Sequence, residues 1–76
     1  MIFLIEYDRS SGQLVRIESF PEPERQDAES ARLELELELN RLGRDHEVVV
    51  LEAASEAALR RTHRRYFENL SELMAS

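Results

Sequence analysis

The segment 31–42, which reads A-R-L-E-L-E-L-E-L-N-R-L, constrains the fold more than any other part of the chain. Its leucines and glutamates alternate, as they would in a strand with one buried face. The same residues have high helix propensity, none of them is β-branched, and Gly43 follows at a position where helices often end. We therefore predict a helix over 27–42. A strand over 32–39, which would give the order β-β-β-β-α, is the alternative.

The predicted helix has one apolar face and two surplus leucines. At a helical rotation of about 100° per residue, one face carries Ala28, Ala31, Leu35, Leu39 and Leu42. This face is expected to pack on the core. Leu33 and Leu37 lie on the opposite face, where we expect them to be exposed.

Three further segments have the pattern of strands. Segment 1–8 places apolar side chains on both faces, which is typical of a central strand. Segment 13–20 alternates like a half-exposed strand, and the turn at 8–12 joins it to the first in a hairpin. Segment 46–53 contains three consecutive valines and a leucine, which predicts a buried strand.

A second helix is predicted over 56–74, with Ser55 as its N-cap. One arc of this helix is apolar apart from a single histidine. Its members are Leu59, His63, Tyr66, Phe67, Leu70, Leu73 and Met74. The opposite arc is charged, so the pattern indicates an amphipathic helix with one face on the core.

The predicted element order is β-β-α-β-α in a single domain spanning 1–76. The hairpin places the second strand beside the first, and the crossover through the first helix returns the third strand on the other side. We therefore predict an α+β fold with a three-stranded antiparallel sheet of order 2-1-3. Both helices are expected on one face of the sheet, which makes a two-layer sandwich.

The composition excludes several kinds of site. The chain has 76 residues and no cysteine, so it forms no disulfide and no thiolate metal site. It has only two histidines, which argues against structural zinc, and we expect no cofactor. A net charge of -6 disfavours nucleic acid as a partner. The apolar run at the start is too short for a membrane span, so we expect a cytoplasmic protein.

Two apolar surfaces are candidates for an interface. If Phe3 and Ile5 face the helices, the alternate strand residues point away from them and are uncovered. The candidate interface therefore combines these strand residues with the surplus leucines: Ile2, Leu4, Leu33, Leu37, Val48 and Val50. Uncovered apolar surface on a small protein usually has a partner. We predict a homodimer or a complex with another protein.

The second helix contributes two other candidates. Arg60, Arg61, Arg64 and Arg65 form a basic run that would contact an anion or nucleic acid, or else a solvated face neutralised by nearby glutamates. His63 lies among apolar positions, where it is either a hydrogen-bonded core residue or part of a pocket. The polar cluster Asp45-His46-Glu47 enters the third strand, where the sequence favours a capping and turn role over a metal site.

No segment carries a motif of catalysis. There is no glycine-rich phosphate loop, no G-x-S-x-G and no H-E-x-x-H. The sequence therefore favours a non-enzymatic interaction module that self-associates. A regulator that contacts an anionic partner through the arginine run is the alternative.

Two motifs resemble a family of small bacterial proteins to which no activity is assigned. They are D-R-S-S-G-Q-L at 8–14 and S-E-A-A-L-R-R-T-H-R-R-Y-F at 55–67. The resemblance implies the β-β-α-β-α order over most of the chain. It implies nothing about a site.

Overall fold

A computed structural model describes residues 1–67. Along the chain, the strands and helices follow the predicted order β-β-α-β-α. Two short 3₁₀ turns, Glu22–Glu24 and Arg64–Tyr66, precede the first helix and follow the second. The main elements are β1 (Ile2–Asp8), β2 (Gln13–Phe20), α1 (Arg25–Leu42), β3 (His46–Glu52) and α2 (Glu56–Thr62).

The three strands form one antiparallel sheet in the order β2-β1-β3, as predicted. β1 is central, and Ile5 lies between Ile17 of β2 and Val49 of β3. Every residue of β3 has a β1 partner in an unbroken register. The α+β class and the strand order are therefore confirmed.

The hairpin between β1 and β2 is shaped by a side chain and a glycine. The Asp8 carboxylate accepts hydrogen bonds from the backbone N–H groups of Ser10 and Ser11 and from the Ser10 hydroxyl. Gly12 has φ 70°, a left-handed conformation that costs glycine little. These bonds, of which the one from the Ser10 hydroxyl has the largest effect, lower the pKa of Asp8 from 3.8 to about 2.

The Leu-Glu segment is helical, so the helix prediction is confirmed and the strand alternative is wrong. α1 ends where Gly43 adopts φ 69°, and the Gly43 and Arg44 N–H groups bond to carbonyls of the last turn. On the predicted core face, Ala28 and Leu39 are buried, whereas Ala31 and Leu35 are half-buried. Leu42, at the helix end, is exposed.

α2 is shorter than predicted. Ser55 caps it as expected, by accepting a hydrogen bond from the Ala58 N–H. The helix ends at Thr62, because His63 has φ -127° and ψ 53° and leaves the helical conformation. The Thr62 hydroxyl donates to the Ala58 carbonyl oxygen. The predicted core positions Leu70, Leu73 and Met74 lie outside the described residues.

The prediction that both helices pack on one face of the sheet is wrong. Leu39 of α1 packs with Leu4 and Val48. Leu59 of α2 packs with Phe3 and Ile5. Successive residues of a strand point to opposite faces, so the two helices lie on opposite sides of the sheet.

The physical reason lies in β1. Its first five residues, from Ile2 to Glu6, are all buried, so both of its faces require cover. α1 covers the face of Leu4, and α2 with the following 3₁₀ turn covers the face of Phe3. A strand that is apolar on both faces needs other elements packed on both sides of the sheet.

Candidate functional site

The predicted sheet surface is not available to a partner. Ile2 and Leu4 are fully buried, and Val48 is 8% exposed. Val50 is half-buried against the cluster that Leu39 of α1 completes. The expectation that these four residues form an uncovered apolar face is therefore wrong, because α1 occupies it.

The surplus leucines of α1 are exposed, as predicted. Leu33 is 54% exposed and Leu37 is 62% exposed, which makes Leu37 the more accessible of the two. We call this pair the outer leucine surface. The two residues are separated by four positions, so they lie on adjacent turns of the helix and form one continuous patch.

The outer leucine surface is the centre of an uncharged stripe. Five exposed positions of α1 are uncharged and follow a 4-3-4-3 spacing along one side of the helix: Gln26, Ser30, Leu33, Leu37 and Asn40. The rest of α1 is rich in glutamate and arginine. Residues with this spacing lie along one side of a helix, as the a and d positions of a coiled coil do, and here the two central ones are apolar.

Charged residues border the stripe and bind one another. The Arg32 guanidinium donates to Glu29 at 3.1 Å and to Glu36 at 3.0 Å. Its two carboxylate partners raise the pKa of Arg32, and Glu29 has the larger effect. On the other side, Arg41 donates to Glu38 at 2.7 Å. An apolar centre with a charged rim is the anatomy of a protein–protein contact.

The predicted arginine face is partly occupied by contacts within the chain. Arg65 donates to Glu47 at 2.7 Å and lies over the Tyr66 ring. Arg60 lies over the Phe67 ring at 4.5 Å and contacts Glu56. Arg61 and Arg64 are exposed. Because α2 ends at Thr62, the four arginines do not share one helical face.

His63 is half-buried and follows the last residue of α2. Its Nδ1 lies 2.9 Å from the Thr62 hydroxyl oxygen, and its backbone N–H donates to the Leu59 carbonyl. The prediction of a helical His63 inside an apolar arc is wrong. The structure gives it the role of a helix-capping residue.

A buried acid–histidine pair was not predicted. Glu6 is 5% exposed, and its Oε2 accepts from Nδ1 of His46 at 2.5 Å. His46 Nε2 lies 3.8 Å from Asp8, and Arg16 lies 3.9 Å from Glu6. The sequence could have indicated the burial of Glu6, because Glu6 is two residues after Leu4 on β1. The two side chains therefore lie on the same face of the sheet, the face that α1 covers.

Glu47 belongs to a second polar cluster on the opposite face. It accepts hydrogen bonds from the Tyr66 hydroxyl and from Arg65, and Arg9 lies 3.5 Å away. The ring of Tyr7 packs edge-on against Tyr66 at 5.4 Å. The strand predicted over 46–53 is confirmed as β3, but the capping and turn role is wrong for these two side chains. His46 contacts Glu6 of β1, and Glu47 binds Tyr66 on the other side of the sheet.

The bond from Tyr66 lowers the pKa of Glu47 below its ordinary value; Arg65 and Arg9 add to this effect, and burial opposes it. Burial, together with the Glu47 carboxylate, raises the pKa of Tyr66. A carboxyl with a lowered pKa stabilises the fold above its unfolded pKa, and this stability is lost as pH falls through the folded value. The raised pKa of Tyr66 contributes stability that is lost as pH rises through the folded value. Because the ordinary tyrosine pKa is about 10, this contribution changes only above about pH 10.

We predict that the stability loss caused by Tyr66→Phe depends on pH. Above the ordinary glutamate pKa of 4.5, the variant lacks the bond to ionised Glu47 and is less stable than the wild type. The difference narrows as pH falls below 4.5, because Glu47 becomes protonated. Urea unfolding at a series of pH values from 7 to 3 measures the difference in stability between the wild type and the variant. Tyr7→Phe is the control, and an equal, pH-independent loss in both variants would contradict the prediction.

Among residues 1–67, no group of three or more histidine and acidic side chains is arranged to hold a metal ion. No helix in that range is long and apolar enough to cross a membrane. Buried side-chain nitrogen and oxygen atoms in the described part of the chain all have hydrogen-bond partners. The two polar clusters therefore complete their hydrogen bonding within the fold.

Comparison with known proteins gave no match. No family model, curated protein or solved structure matches the chain.

Proposed function

We propose that the protein is a small, non-enzymatic interaction module of the cytoplasm that self-associates through the outer leucine surface. The observation that carries this proposal is the exposure of Leu33 and Leu37 at the centre of an uncharged stripe. Of the strand residues that competed with them for this role, Ile2, Leu4 and Val48 are buried and Val50 is half-buried against the cluster that α1 completes. The remaining candidate surface is thus confined to one side of one helix.

The stripe is suited to a second copy of itself. In an antiparallel pairing of two α1 helices, Leu33 of one copy lies opposite Leu37 of the other, and the same contact is repeated across the two-fold axis. Ser30 is then opposite Asn40, which places no charge in the seam. Packing four leucines removes apolar surface from water, at about 25 cal/mol per Å².

The Leu33→Glu/Leu37→Glu variant tests this proposal. It places four carboxylates at the contact, so we expect the dissociation constant to rise by about tenfold or more, which is at least about 1.4 kcal/mol. Urea unfolding of the monomer should change little, because exposed substitutions usually cost less than about 0.5 kcal/mol.

Val15→Glu is the matched control. Val15 is 52% exposed, but it lies on β2, away from α1. Sedimentation equilibrium should therefore give the wild-type mass for this variant. Equal masses for the wild type, Val15→Glu and Leu33→Glu/Leu37→Glu would refute the leucine contact.

The alternative function is contact with an anion or nucleic acid, and it has weaker support. It would use the arginine run Arg60, Arg61, Arg64 and Arg65. Arg65 binds Glu47 and Arg60 binds Glu56, so the charges of these two arginines are already paired within the chain. The net charge of -6 also opposes it.

A further inference from the structure

β3 has a free edge within the described part of the chain. The strand order β2-β1-β3 places it at the side of the sheet, and β1 is its one partner there. A strand at an edge presents a row of backbone N–H and C=O groups that are available to another strand.

The hydrogen bonds at the end of the sheet show which groups point outward. The Ala53 N–H donates to the Met1 carbonyl, and the Met1 amine donates to the Ala53 carbonyl. Residues 1 and 53 are therefore a hydrogen-bonded pair, and such pairs alternate along an antiparallel ladder. Odd-numbered β3 residues bond to β1. The outward groups belong to His46, Val48, Val50 and Glu52.

The two edges of the sheet differ in how they are protected. β2 carries a bulge, because Glu6 pairs with Arg16 while Tyr7 pairs with Leu14, which leaves Val15 as an extra residue. Bulges and charged side chains discourage pairing at an edge. β3 has neither a bulge nor a charged residue across 48–51. Its register with β1 is regular and its central residues are β-branched valines, which favours the addition of another strand.

We propose that β3 pairs in antiparallel orientation with β3 of a second copy, which joins two sheets into one of six strands. The register centred on Val49 brings the three valines of β3 together and places Glu47 opposite Leu51 of the other copy. In this register Val48 lies opposite Val50 of the other copy, and His46 lies opposite Glu52. All four outward residues then form hydrogen-bonded pairs, and apolar residues fill the centre. Because the three central valines meet their counterparts in this register, a second copy of β3 is the occupant that the edge fits best.

The β3 contact is independent of the outer leucine surface. The two copies are related by a two-fold axis perpendicular to the sheet, which superimposes each face on the same face of the other copy. Both α1 helices therefore lie on the same face of the six-stranded sheet. The leucines of α1 stay exposed on the side facing away from the sheet. A chain that uses both contacts forms assemblies larger than a dimer.

Cysteine cross-linking tests the register, because the chain has no cysteine of its own. In this register Val49 faces itself as a non-hydrogen-bonded pair, in which the Cα atoms are about 4.5 Å apart. A disulfide fits this spacing. Val49→Cys should form a covalent dimer under mild oxidation. Leu51→Cys, on the same face of the same strand, and Val15→Cys, on the exposed β2, should stay monomeric on denaturing gels.

Two results would overturn this register. One is a Val49→Cys variant that gives no covalent dimer. The other is equal cross-linking of all three variants, which would report random collision.

A proline variant tests the contact itself. Val50→Pro removes an outward N–H group, and its ring blocks a second strand, while the bonds of β3 to β1 use the neighbouring residues. Val50→Ala is the matched control. We expect Val50→Pro to reduce the assembly to a dimer, and Val50→Pro with Leu33→Glu/Leu37→Glu to reduce it to the 8.9 kDa monomer.

The outcomes separate the two contacts. A monomeric Val50→Pro variant would support the β3 contact and overturn the leucine contact. A wild-type mass for Val50→Pro, with a native circular dichroism spectrum, would overturn the β3 contact alone. If Val50→Pro does not fold, the Val49→Cys cross-link decides, because cysteine fits a partly buried position.

Discussion

Replacement of Leu59 by alanine is expected to destabilise the protein by about 3 kcal/mol. Leu59 is fully buried, and it is the one buried residue of α2. It packs on Phe3 and Ile5 of the central strand. The substitution loses the transfer energy of the side chain and leaves a cavity under a helix of only seven residues.

This loss is large for a chain of 76 residues, whose stability should be on the order of 4–11 kcal/mol. Urea unfolding followed by circular dichroism measures it. Leu37→Ala is the control, because Leu37 is 62% exposed and alanine has equal or better helix propensity. A Leu59→Ala loss no larger than that of Leu37→Ala would show that α2 does not cover this face of the sheet.

Removal of His46 is the second substitution with a large expected effect. His46→Ala leaves the Glu6 carboxylate buried without the imidazole that lies 2.5 Å from it. A buried polar group that loses its hydrogen-bond partner costs about 1–3 kcal/mol, and more when it is charged. Arg16, at 3.9 Å and on the exposed side of the pair, compensates for part of this cost. Thermal and urea unfolding at neutral pH measure the loss.

The double variant Glu6→Leu/His46→Leu is the matched control for the buried pair. It removes both polar groups at once, and replacement of both partners of a buried hydrogen bond by apolar residues of similar shape can be nearly neutral or stabilising. We expect it to be more stable than His46→Ala. If His46→Ala were as stable as the wild type, Glu6 would not depend on His46 for its burial.

Much of the fold could be predicted from local patterns. The helix over the Leu-Glu segment follows from the absence of β-branched residues and from Gly43, whose φ of 69° ends it. The three strands follow from alternation and from the valines of 48–50. The hairpin and the crossover then determine the order 2-1-3, with β1 in the centre.

The placement of the layers required more than local pattern. Apolar residues on both faces of β1 indicate a strand between two layers, yet the simplest topology places both helices on one side. Burial of Leu4 under α1 and of Phe3 under α2 resolves this conflict in favour of one helix on each side of the sheet. The end of α2 at Thr62 was also hidden, because the charge and apolar periodicity continues past it.

The candidate site was predicted in part. The exposure of Leu33 and Leu37 followed from helical geometry alone. The pairing of Glu6 with His46 did not, since these residues are forty positions apart and meet only through the β1–β3 register. The register between two strands that are distant in sequence determines such contacts. Residue spacing within either strand does not reveal that register.

Sedimentation equilibrium of the wild-type chain tests self-association of the protein most directly. Samples from low micromolar to millimolar concentration are compared at neutral pH and moderate salt. We expect a weight-average mass that rises with concentration to at least twice the 8.9 kDa of the chain. A mass that stays at 8.9 kDa over the whole range would contradict it.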